Sequence, residues 1–449
     1  MKDLRLLSDS PFRLLLRLSV PGMLGMLVLS INSLVDAVYL GNLLSAEAFA
    51  GVSLVFPFTL IVSSFTGLLA VGFSSMLSRA IGRGDVPSQE KILPNLIVSS
   101  CICSGLVMAV GYCFAGEIMD AMGAQGVVRQ FGVAYLETYA CGVFFSVFGL
   151  SANALIRAEG KMKQAMMFTV VAVAINLVLT PFFITTLNMG VEGAAWSSIV
   201  AMLVYSAGTY AYFLCGKALF SVGKVAISLD REVMMEVAKV GVSSLLLQLA
   251  NVLRQFVVFR FVTWYGSAHD LIVFSAAYRL FSFVAVPVLG IMQPLQPVIG
   301  VNFGAGEWQR CLQALKVFQG VGVLFACLLI TPILLFPSWF VGLLIPDIIL
   351  MAGERTVVRV IFGVLPFLPL ASSAIIYFQA VGQSKIASFL PVGRQVILFL
   401  PFVALLAATG VWGSFGIYYM LGLENVIYAL LAVWILRREA RAYTSYSFS

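Results

Sequence analysis

What most limits the fold is a series of apolar runs, each long enough to cross a bilayer, separated by short polar gaps. A spanning helix takes about 20 mostly apolar residues, because the hydrocarbon core is about 30 Å thick and the helix rises about 1.5 Å per residue. On that scale the sequence gives twelve segments, at 14–40, 50–77, 92–116, 129–155, 163–187, 190–215, 240–264, 271–302, 312–337, 356–381, 386–409 and 411–436. Only 10% of the residues are charged and 61% are hydrophobic, against roughly 25% charged in soluble domains. There is too little polar surface to cover a water-facing globule, and the mean hydropathy is +1.02. Several runs exceed the minimum, so tilted or kinked helices are expected, with Pro21, Pro57, Pro181, Pro287 and Pro401 as candidate kinks.

Basic residues alternate with these segments. Lys2, Arg5, Arg13 and Arg17 precede the first; Arg79, Arg83 and Lys91 follow the second; Arg157, Lys161 and Lys163 follow the fourth. Lys217, Lys224, Arg231 and Lys239 follow the sixth, Arg310 and Lys316 the eighth, Lys385 the tenth, and Arg437, Arg438 and Arg441 the last. The other gaps hold almost none, Arg129 and Arg355 being the clear cases. This is the positive-inside pattern for an even span count with both termini cytoplasmic. The net charge of +7 therefore needs no nucleic-acid partner. Residues 1–11 carry Lys2, Asp3, Arg5 and Asp9 before an apolar stretch too long for a signal peptide, so none is expected.

The chain repeats itself. Gly190-Val191-Glu192-Gly193 opens the sixth segment, and Gly410-Val411-Trp412-Gly413 opens the twelfth, 220 residues later. Ala158-Glu159-Gly160 matches Ala380-Val381-Gly382 at 222, and Ile81-Gly82 matches Ile299-Gly300 at 218. Three near-equal offsets predict a duplicated six-span unit. The expected fold is thus an all-α integral membrane protein of twelve transmembrane helices in two pseudo-two-fold-related six-helix lobes. The N-lobe covers 1–216, a cytoplasmic inter-lobe linker 217–239, and the C-lobe 240–449. Repeats that each hold an even number of spans are related by an axis along the membrane normal, and transporters place substrate sites between them.

Ionisable residues inside spans are costly and mark function by default. Asp36 lies about twenty residues into the first span, with Asn32 one turn earlier on the same face. Either Asp36 is buried there, or the helix has ended and it caps a loop before Gly41 and Asn42. A carboxylate removed from water is stabilised by taking up a proton or by gaining a cation, so one residue could serve both coupling ion and cationic cargo. Asn176 and Thr180, at i and i+4 on the fifth span, could present oxygens to the same cavity. The second half offers Asn251, Arg254 and Gln255 on the seventh span and Arg279, Gln293 and Gln296 on the eighth as cavity residues. Arg254 and Arg279 could equally donate to carbonyls at a helix break. Arg394 and Glu424 are placed within reach of each other, as an intramembrane ion pair or as further cavity groups, while Glu137 and Glu192 read as interfacial.

The seven cysteines lack a metal-ligand spacing and read as small apolar fillers, and His269 stands alone in an expected loop. No metal site, catalytic residue or cofactor is expected beyond the coupling ion. The 35 Phe and 17 Met residues suit a pocket that repacks around varied shapes.

Read together, several motifs resemble the multidrug and toxic compound extrusion (MATE) family, in its bacterial multidrug-pump branch. They are Ser33-Leu34-Val35-Asp36-Ala37-Val38-Tyr39-Leu40-Gly41, Ser78-Arg79-Ala80-Ile81-Gly82-Arg83-Gly84-Asp85, Asn176-Leu177-Val178-Leu179 before Pro181, Gly190-Val191-Glu192-Gly193-Ala194-Ala195, and Gln296-Pro297-Val298-Ile299-Gly300-Val301-Asn302-Phe303-Gly304-Ala305-Gly306. Their order covers nearly the whole chain. The resemblance implies a monomeric antiporter in the bacterial inner membrane that expels amphipathic, often cationic compounds in exchange for H⁺ or Na⁺. It makes Asp36 the main coupling residue, with Asn176 beside it. The chain departs from the family in carrying Thr180 where many relatives have Asp, and Asn251 where one branch has Glu. Loss of both carboxylates favours H⁺ over a Na⁺ site, which needs several oxygens.

The alternative is a lipid-linked oligosaccharide or lipid II flippase of the same superfamily, with Arg254, Arg279 and Arg394 on a pyrophosphate. Twelve spans and the first-span Asp speak against it. No D-x-x-D, H-E-x-x-H or G-x-x-x-x-G-K-[ST] motif occurs, which excludes the usual signatures of a membrane enzyme or an ATP-driven pump.

Overall fold

The computed structural model describes residues 5–223, 229–265, 268–342, 350–409 and 413–446. Among them the elements are helical throughout. Eleven helices are long and apolar enough to span, and the pair Gly126–Cys141 and Val143–Ala158, bent by 50°, counts as a twelfth when taken as one span. In order the spans are Pro11–Leu43, Glu47–Arg83, Val86–Cys113, the bent pair, Met162–Thr186, Gly190–Leu214, Arg231–Val258, Ala276–Gly304, Trp308–Leu335, Gly353–Val381, Ser384–Ala407 and Gly416–Glu439. Their order agrees with the twelve expected segments. His269, expected in a loop, falls in the first turn of the helix Ala268–Met292.

Breaks occur only partly at the expected prolines. Pro57 sits at the start of Phe56–Arg83, next to the interruption at Val55. Pro181 closes the α-helical part of the fifth span and is followed by a π-helical turn, Phe182–Thr186. The eleventh span carries a second π-helical stretch, Arg394–Phe399, ahead of Pro401. The fourth span bends at Gly142 without a proline. A Cβ at Gly142 would overlap Ile199 of the sixth span, so the bend sits at a close helix crossing.

The repeat is visible in the backbone. Gly160 (φ 82°) and Gly382 (φ 81°), 222 residues apart, both turn the chain in the left-handed region that only glycine adopts freely. The Gly410-Val411-Trp412 end of the third repeat motif and residues 224–228 of the linker lie outside the described residues.

Contacts group the chain into two units. One comprises Leu24–Leu245, the other Arg5–Met23 with Leu246–Ser449. The expected halves, 1–216 and 240–449, follow the gaps between spans; the contact units instead change over inside the first and seventh helices. In the first unit the fully buried core includes Leu69, Phe73, Ile92, Leu96, Ala152 and Leu155. There the opening turns of the seventh span pack on the second through glycines: a Cβ on Gly72 would lie 2.5 Å from the Val237 carbonyl oxygen, and one on Gly241 would overlap that of Leu68. Small residues at such crossings let backbones approach, which is how helices associate in lipid. Arg79, only 4% exposed, meets Glu236 at 2.7 Å at the same crossing. In the second unit Ser19 donates to the Ile291 carbonyl at 2.9 Å, and one core gathers around Ala277, Val288, Val358 and Phe362.

Candidate functional site

Asp36 lies inside a helix. The first span continues to Leu43, and Asn42 donates back to the Val38 carbonyl at 2.9 Å, so the loop-cap alternative does not apply. Asn32, one turn earlier, donates from Nδ2 to Asp36 Oδ2 at 2.9 Å. Leu34 and Val38 take the exposed, lipid-compatible side of this helix, at 49% and 56%. Asp36 Oδ1 and Asn32 Oδ1 are both buried without a hydrogen-bond partner. Among the described residues no Lys or Arg pairs with Asp36, while the Tyr135 phenol of the fourth span lies within its electrostatic reach and stacks on Tyr139 at 6.0 Å. A carboxylate without a counter-ion and with one oxygen unpartnered is chemically able to take up a proton or a cation.

Asn176 and Thr180 of the fifth span are buried, at 5% and 2% exposure, and point to the sixth. Asn176 Nδ2 donates to Ser197 Oγ at 3.5 Å and to Ser198 Oγ at 3.4 Å. Thr180 Oγ1 lies 2.7 Å from Ser197 Oγ and 2.9 Å from the Asn176 carbonyl, while Ser197 Oγ lies 2.8 Å from the Ala194 carbonyl. Two hydroxyl protons serve those three contacts, so the pair can shift its donors. Asn176 Oδ1 is left buried and unpartnered. The first and fifth spans run in the same direction, and Gly25 touches Met166, its would-be Cβ 3.6 Å from Met166 Cγ. Asp36 and Asn176 each lie about three helical turns further along their own helix. No hydrogen bond joins them.

In the second unit the structure brings Arg254, Arg394 and Glu424 together. Arg394 Nε reaches Glu424 Oε1 at 2.6 Å, and Arg254 Nη2 reaches Oε2 at 2.8 Å. Arg394 Nη2 also donates to Asn425 Oδ1 at 2.7 Å, and its guanidinium lies 4.7 Å from the Tyr428 ring centre. Arg254 lies 5.6 Å from the ring of Phe399. Asn251, Gln255 and Arg279 are exposed within their spans, while Gln293 and Gln296 are half-buried and Gln296 has a polar or electrostatic partner.

The MatE family model matches this sequence twice, over residues 21–182 and 244–405. The chain belongs to the MatE family. The two matches start and end 223 residues apart, in step with the glycine repeat. The MatE chain is similar to the FAD transporter of Shewanella oneidensis, 25% identical over 98% of this chain and 97% of that one. It is similar to the multidrug export protein MepA of Staphylococcus aureus, 23% identical over 99% of both. Its fold is that of a MATE transporter solved in the bent conformation, with a TM-score of 0.93 over the whole of both chains at 24% identity. It also matches a MOP-superfamily transporter from Pyrococcus furiosus whose binding pocket is described as reversed in polarity, with a TM-score of 0.89 and 25% identity over 98% of each chain. This MatE chain is a multi-pass membrane transporter and not an enzyme.

Several polar groups of this MatE chain carry no signal in a span-by-span reading. Glu159, 2% exposed, accepts from the Tyr212 hydroxyl and, at 2.6 Å, from the Leu219 amide. Gln89 accepts from the Ser221 amide at 3.0 Å and Asn95 from the Asp230 amide at 2.7 Å. The described ends of the linker are thus tied to buried side chains of the first unit. In the second unit Asn302 donates to the Leu6 carbonyl at 3.1 Å and Arg310 to that of Asp9 at 2.7 Å, holding the N-terminal turn. All seven cysteines are free thiols; Cys101, Cys113, Cys141 and Cys215 are exposed rather than filling a core.

Proposed function

We propose that this MatE transporter is a secondary multidrug efflux antiporter of the bacterial inner membrane, exporting amphipathic or cationic organic compounds by alternating access in exchange for H⁺. The carrying observation is Asp36: a carboxylate inside a span, held among the described residues by Asn32 alone, with one buried oxygen lacking a partner among them. Proton and cationic cargo compete for that oxygen, which is the minimum an exchanger requires. Asn176 and Thr180 form the second part of the coupling site, through the hydroxyl pair with Ser197. The similarity to a multidrug export protein supports the efflux direction. Na⁺ is the less favoured ion, because a hard cation needs several convergent oxygens, and Asn32 and Asp36 supply few. Both termini lie on the cytoplasmic side by the charge pattern, and the chain works as a monomer among membrane lipids, without nucleic acid.

The test is export of ethidium from cells lacking their own efflux pumps. Cells making the wild-type chain should accumulate less dye than cells making Asp36→Asn at equal membrane abundance. Equal accumulation would remove the assigned role.

A further inference from the structure

Two guanidiniums against one carboxylate leave an uncompensated positive charge inside the second unit. Arg254 and Arg394 converge on Glu424, Arg394 using both carboxylate oxygens and Arg254 sharing Oε2. No other described acidic side chain pairs with either. The geometry is also one-sided: Glu424 is sealed at 0% exposure, while the two arginine side chains stay 18% and 17% accessible. A group approaching the cluster meets the arginine side chains and not the carboxylate.

Donors without acceptors surround that face. Among the described residues the Arg254 guanidinium donates to Glu424 alone, so most of its five N–H donors have no acceptor among them. The Tyr428 hydroxyl is buried and unpartnered, on a ring that carries the Arg394 guanidinium. Gln395, next to Arg394 on the π-helical stretch, has a buried, unpartnered Nε2. π-helical turns inside α-helices recur at functional sites. A purely structural ion pair would need one arginine and would leave no such surplus.

We infer that Arg254 and Arg394, with the Tyr428 hydroxyl, form a subsite for an anionic group of the cargo, a phosphate or a carboxylate. Guanidinium forks fit such planar or tetrahedral oxyanions, and Glu424 holds the two forks in place while cancelling one of the two charges. The inference deepens the export function and rests on it only in assigning the anion to cargo. It adds acidic amphiphiles, and compounds bearing both charges, to the expected substrates.

The test is equilibrium binding to the purified chain in neutral phosphatidylcholine nanodiscs, with no ion gradient. Riboflavin and flavin mononucleotide are matched probes differing in one phosphate, and binding is read from flavin fluorescence. The wild type should bind the mononucleotide at least about tenfold more tightly. Arg254→Gln should remove that preference, lowering mononucleotide affinity far more than riboflavin affinity. Arg254→Gln with Glu424→Gln restores the single surplus charge and should restore the preference. Equal affinities in wild type, or equal losses of both probes in Arg254→Gln with no recovery in the double variant, would overturn the subsite. Displacement of the mononucleotide by added phosphatidylglycerol would overturn the assignment to cargo in favour of lipid. Because no gradient is used, failure of proton coupling at Asp36 leaves this outcome untouched.

Discussion

The Arg79–Glu236 pair makes a directional prediction about stability. The two groups meet at 2.7 Å, but the Arg79 side chain is 5% exposed and the Glu236 side chain 42%. Removing one partner of a buried pair is costly because the other is left charged and dry, about 3–5 kcal/mol when burial is complete. Glu236→Ala leaves the buried guanidinium behind. Water can enter where the half-exposed carboxylate stood, so the loss is about 2–3 kcal/mol. Arg79→Met removes the buried charge, fills its stem volume and leaves a carboxylate that water already reaches, so the loss is about 1 kcal/mol or less. Unfolding in mixed micelles by titration with SDS, followed by tryptophan fluorescence, gives both values. Glu236→Ala should be the more destabilising by at least 1 kcal/mol. Arg79→Met costing as much as Glu236→Ala would refute the reasoning from burial.

Gly72→Val puts carbon where the Val237 carbonyl stands, 2.5 Å from the would-be Cβ, and should cost about 1–3 kcal/mol as overpacking in the same titration, whereas Gly105→Val, with nothing within 4 Å, should be close to neutral. Thr180→Val removes a buried hydroxyl contact to Ser197 and should cost about 1–2 kcal/mol while leaving the protein folded on gel filtration. Outside the spans, the hydrogen bond from Arg129 holds the Asp120 carboxyl below the usual carboxylate range. Its small contribution is therefore present above the unfolded value, about 3.9, and fades as pH falls below it. The difference in thermal midpoint between wild type and Asp120→Asn should be seen at neutral pH and vanish in acid, as pH falls through the lowered folded-state value.

The spans and the duplication were legible in the sequence because both are one-dimensional signals: hydrophobic length, alternating basic gaps and glycines at a fixed offset. The bend at Gly142 was not, since the close approach there is to Ile199 on another helix. The i, i+4 spacing of Asn176 and Thr180 put them on one face, but spacing cannot say which neighbour that face meets, and it meets Ser197 and Ser198. Depth along the spans brought Arg394 and Glu424 together; that Arg254 joins them depends on how the seventh, eleventh and twelfth spans pack. Glu159 read as part of a repeat motif, whereas its carboxylate secures the linker through Tyr212 and Leu219.

Coupling at Asp36 is tested most directly in liposomes holding the purified chain, with a proton gradient or a sodium gradient imposed separately and ethidium movement followed. The proton gradient should drive movement, the sodium gradient should add little, and Asp36→Asn should abolish the proton-driven part. Undiminished proton-driven movement in the Asn variant would contradict the account.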